Sequence, residues 1–118
     1  GTYSTNSPLH ALATLNDPLY LEAARGIAYR AYKIGPASIL KTAFKLITAR
    51  DPTKEELIIL KRMHEASRIH YKQNPAEATS LLSIGELAIT DQIKPFEQAS
   101  LTSTILSLLN TDEALTKE

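Results

Sequence analysis

An all-α fold is predicted, a compact orthogonal or antiparallel bundle of about five main helices with short terminal helical turns. Three observations predict it. The 118 residues contain no valine while Leu, Ala and Ile are plentiful, a bias toward helix and away from strand. Prolines recur directly after Ser, Asp, Gly and Asn, as at the first position of a helix. No stretch alternates apolar and polar residues in the manner of a half-buried strand.

The punctuation justifies each element in turn. Ser7-Pro8 reads as N-cap and first helical residue, opening a short helix over about 8–15. Asn16 tolerates the left-handed conformation that ends it, and Asp17-Pro18 opens the next helix, about 18–33, with Tyr20, Ala24, Ile27, Ala28 and Ala31 at helical spacing. Gly35 suits the position just past that helix, and Pro36 begins a third, about 37–49, striped by Leu40, Ala43, Phe44 and Ile47. In "RDPTKEEL", Thr53 and Glu56 have capping-box spacing, each satisfying the other's free amide. They open the longest helix, about 54–73, whose expected inner face is Leu57, Leu60, Met63 and Ala66. Asn74-Pro75 starts a helix to Leu82 or Gly85, residues 86–94 read as irregular, and Pro95 starts a helix carrying Leu101, Ile105, Leu108 and Leu109. "NTDEAL" is expected to form a separate capped turn.

Length fits one domain, 1–118. Gly1 is expected to be a cloning scar and the chain a C-terminal fragment of a larger multidomain protein. Thirteen basic and thirteen acidic side chains give zero formal charge, so no global field favours nucleic acid or an anionic membrane. The charges divide unevenly: residues 1–50 carry six basic against two acidic, residues 51–118 seven against eleven. Either the halves pack on each other or a positive face around the second and third helices meets a partner. No cysteine is present, which excludes disulfides, thiolate metal sites and a thiol nucleophile, and no apolar run is long enough to cross a bilayer.

Chemistry is sought first at the histidines. His64 and His70 stand six residues apart, about 120° around a helix, so they do not share a metal, and Arg68 occupies the position a second ligand would need. Both are expected to be solvated. No Gly-x-Ser-x-Gly elbow or glycine-rich phosphate loop occurs. No catalytic, metal or cofactor-binding residue is therefore assigned, and no cofactor is expected in this fragment. The remaining candidates are Thr5, Asn6, His10, Asn16 and Asp17, a polar cluster that either punctuates helices or lines an interdomain contact.

Three stretches carry a family resemblance. "TNSPLHALATLNDPLYLEAAR" (5–25) resembles T-N-T-P-L-Q-A-L-x-x-L-N-D-P-x-x-x-E-A-A-R, "AFKLITARDPTKEEL" (43–57) resembles A-F-x-L-x-x-G-R-x-P-T-x-E-E-L, and "LLNTDEALTKE" (108–118) resembles L-L-N-x-D-E-F-L-x-R-E. In order and spacing the chain resembles the C-terminal part of the domain of unknown function 1553 family, the planctomycete-type cytochrome-associated proteins. His10 stands in place of Gln, Ala49 of Gly, Leu101 of Trp and Ala114 of Phe. The resemblance implies a large exported protein, periplasmic or in the cell envelope, with a cytochrome c-like haem domain near its N-terminus. It supplies no catalytic residue. The function it implies is a non-catalytic packing or interaction module whose partners are other domains of the parent chain, without nucleic acid or membrane insertion. The alternative is part of the active site of an exported enzyme acting on polysaccharide or another polymer.

Overall fold

The computed structural model describes residues 18–85 and 91–116, with the side chains of the last helix described as far as Thr111. Among these residues the order is α1 (Pro18–Ile34), a 3-10 turn (Pro36–Ser38), α2 (Ile39–Thr48), α3 (Lys54–Gln73), α4 (Pro75–Leu82) and α5 (Pro95–Thr116), with no strand. The first helix expected at 8–15, and with it Thr5, Asn6, His10, Asn16 and Asp17, lies outside the described residues.

The core forms where α5 touches each of the other four helices. Its residues Ala99, Leu101, Ile105 and Leu106 are buried, and so are Gln98, Ser100, Thr102 and Thr104. A helix surrounded by neighbours needs no polar face, which is why its sequence shows no single apolar stripe. Two of its buried hydroxyls are satisfied within the helix: Ser100 Oγ donates to the Glu97 carbonyl at 3.0 Å and Thr104 Oγ1 to the Ser100 carbonyl at 2.9 Å. Against it α1 lays Leu21 and the small side chains of Ala24, Ala28 and Ala31. Ala43 of α2 joins the same cluster, and Phe44 beside it is also buried. Each fully buried Leu or Ile, such as Leu21, Leu101 and Ile105, contributes roughly 1.5–3 kcal/mol relative to exposure.

Several helix ends differ from expectation. Gly35 closes α1 through its amide on the Ala31 carbonyl at 2.9 Å, yet its φ is −151°, so the left-handed conformation is not its role. A Cβ there would stand 3.2 Å from Thr42 Oγ1, so close approach accounts for the glycine. The left-handed end occurs instead at Ala49, with φ 63° and its amide on the Lys45 carbonyl. Asn74 precedes Pro75 as expected, but its side chain caps no amide of α4; Nδ2 donates to the His70 carbonyl at 2.8 Å, satisfying the end of α3. "NTDEAL" does not start a new turn, because α5 runs unbroken to Thr116. Thr111 Oγ1 donates back to the Ser107 carbonyl at 3.0 Å rather than capping a following helix.

The capping box is present in full: the Glu56 amide donates to Thr53 Oγ1 at 3.1 Å and the Thr53 amide to Glu56 Oε1 at 2.8 Å. The inner face of the helix it opens is rotated from the expected one. Leu57, Leu60, His64, Ser67, Arg68 and Tyr71 turn inward to varying depth; of the expected four, Leu57, Leu60 and Met63 are buried or half-buried, whereas Ala66 is exposed. No helix among the described residues is long and apolar enough to cross a membrane.

Candidate functional site

Where α3 crosses α5, the inner face of α3 carries two polar side chains into the seam. His64 follows Leu57 and Leu60 on one helical stripe, which places its imidazole against α5. Its side chain is 19% exposed, so the solvated position expected for it is overturned. Nε2 is buried 3.4 Å from Glu97 Oε2, outside hydrogen-bonding geometry and with no other partner among the described residues. Burial pushes the His64 pKa below the usual histidine value, against the opposing pull of the Glu97 charge. Burial thus favours the neutral ring.

Glu97 is held from the other side. Arg68 Nε donates to both its oxygens, at 2.9 and 3.2 Å, and Ser100 Oγ contacts Oε2 at 3.3 Å. Arg68 also reaches Glu65 at 3.2 Å and lies over the Phe96 ring at 5.6 Å. The Glu97 carboxylate raises the Arg68 pKa, keeping the guanidinium charged. This arrangement positions an imidazole and a carboxylate side by side at a helix seam. His70 turns elsewhere: it is exposed, Nε2 stands 3.0 Å from Glu77 Oε1 on α4, and its ring meets Tyr71 edge-on. The two histidines thus face different helices, and no group of three or more metal-ligating side chains exists among the described residues.

Beside the seam opens a cavity of about 400 Å³. Pro36 to Lys41 form one wall, Leu57, Lys61 and His64 a second, and Glu97 with Leu101 the floor on α5. Residues from three helices and the 3-10 turn converge there although they are scattered from 36 to 101 in the chain.

The family described as PSD1, protein of unknown function (DUF1553), matches residues 2–64, which is 63 of the 118 residues. The chain belongs to the DUF1553 family. No curated protein and no solved structure gives a match. The matched stretch ends within α3, so α4 and α5 extend beyond it.

In this DUF1553 chain, the described residues that carried the resemblance hold the fold together. Arg25 is buried at 5% exposure and donates from Nη1 to the Ile84 carbonyl at 2.9 Å, tying α1 to the end of α4. Burial lowers its pKa, and the nearby Glu22 charge opposes that shift. Arg50, Thr53 and Glu56 together lock the α2–α3 connection. None of the five expected contact residues is among those described. His64, Glu97 and the α2 wall were missed as a site. The available signal was the shared stripe of Leu57, Leu60 and His64, which assigns the histidine to the buried face.

Proposed function

We propose that the chain is a non-catalytic helical module that packs against other domains of a larger protein. One observation supports this most directly. Opposite its core-facing stripe, α3 bears a second apolar stripe: Ile58, Ile59 and Ile69 are 50%, 56% and 50% exposed. With Ala66 and Arg62 they occupy about 100° of the helix circumference. Single exposed apolar residues are ordinary, but three isoleucines on one outward face form a ready contact surface.

Family resemblance supplies the setting for this proposal: an exported parent protein with a cytochrome c-like haem domain, whose other domains are the partners. The module itself needs no cofactor in this reading. The polar clusters among the described residues act at helix ends and seams, which fits a packing role.

Hydrogen exchange tests the reading by comparing the 118-residue chain alone with the same residues inside a longer parent chain. Slower exchange over residues 58–69 in the longer chain is expected. Equal exchange in the two settings contradicts the proposal.

A further inference from the structure

The cavity between α2, α3 and α5 has a chemistry that the packing role leaves unused. Its lining combines apolar side chains, Ile39, Leu40, Leu57 and Leu101, with two lysines, Lys41 on α2 and Lys61 on α3. Neither lysine pairs with an acid among the described residues. Glu97, the carboxylate in the lining, is already neutralised by Arg68 at 2.9 Å. Among the described lining residues the uncompensated charge is therefore positive. Ser38 adds a hydroxyl in the same wall, since it makes no side-chain cap bond to α2.

We propose that this cavity binds a small organic anion, its charged group between Lys41 and Lys61 and its apolar body against Leu40, Leu57 and Leu101. The volume of about 400 Å³ falls in the ordinary range for small-molecule sites, roughly 300–1,000 Å³. A cation is disfavoured by both lysines. A bare inorganic anion leaves the apolar lining without a contact. His64 also lines the cavity, so the lysines supply the attraction while the imidazole reports on occupancy.

The test is a titration of the 118-residue chain with hexanoate, hexylamine and inorganic phosphate, followed by NMR of the backbone amides and histidine ring protons. Hexanoate is expected to shift Leu40, Leu57, Leu101 and the His64 ring saturably, with a dissociation constant on the order of millimolar. The His70 ring should stay unmoved. Replacing both lysines, Lys41→Gln with Lys61→Gln, should weaken hexanoate about tenfold, as loss of two partly solvated charge contacts implies. Both side chains are exposed, so the variant should keep its melting temperature, which is measured alongside. The proposal fails if hexanoate gives no saturable shift, if hexylamine or phosphate binds as tightly, or if the double variant binds hexanoate unchanged.

Discussion

Arg50 and Glu56 lie fork to fork: Nη1 donates to Oε1 and Nη2 to Oε2, each at 2.9 Å. The same carboxylate accepts the Thr53 amide, so a single side chain serves both the capping box and the ion pair. Arg50 also stacks over the Phe44 ring at 4.9 Å, which joins the end of α2 to the start of α3.

These contacts make stability depend on acid pH. The Arg50 bonds first, then the Thr53 amide, hold the Glu56 pKa at about 2 against an ordinary 4.5. The unfolded chain takes up the proton first, so the contribution is complete above about 4.5 and is lost as pH falls toward 2. Urea unfolding at pH 7 and pH 3 should show a smaller difference in Glu56→Gln than in the parent. High salt should shrink that contrast, because both side chains are partly solvated. Thr53→Ala should cost about 1 kcal/mol at pH 7 through loss of the cap. Identical pH dependence in Glu56→Gln and parent would contradict this account.

Ala49 sits at φ 63°, a conformation an L-residue with a Cβ resists. Ala49→Gly should stabilise the chain by about 1 kcal/mol, since relief of backbone strain outweighs the extra freedom gained by the unfolded state. A lower melting temperature for the variant would contradict the strained reading.

Gly85 is the opposite case. Its φ is +87°, and a Cβ would come within 3.0 Å of Glu22 Oε2. The carboxylate end can move aside, but the backbone strain remains, so Gly85→Ala should destabilise by about 1 kcal/mol. Arg25→Met should cost about 1–3 kcal/mol, because it removes the donor that meets the adjacent Ile84 carbonyl. Thermal melts of the two variants check both values, and an unchanged melting temperature in Arg25→Met would show the anchor to be idle.

Helix starts were readable from sequence because their signals are local: Pro18, Pro75 and Pro95 stand first in their helices, and Thr53 caps α3 through Glu56 three residues on. Orientation was less readable. The choice of Ala66 over His64 for the inner face of α3 followed hydrophobicity, whereas α5 offers a polar partner at that seam: Glu97 accepts from Arg68. The burial of α5 on several sides hid its length, since Ser and Thr resemble caps in sequence but bond to their own helix in the fold. The cavity was beyond reach for a different reason, as its walls meet only after α2, α3 and α5 have packed.

The outward stripe of α3 carries the central claim, and a double substitution tests it most directly. Ile58→Ser with Ile69→Ser is compared by thermal melting and limited proteolysis in the 118-residue chain and in a longer parent chain. In the short chain the change should stay within about 1 kcal/mol, because both side chains are half exposed there. In the longer chain the account predicts a clearly lower melting temperature and new cleavage at α3. Equal, small effects in both settings would contradict it.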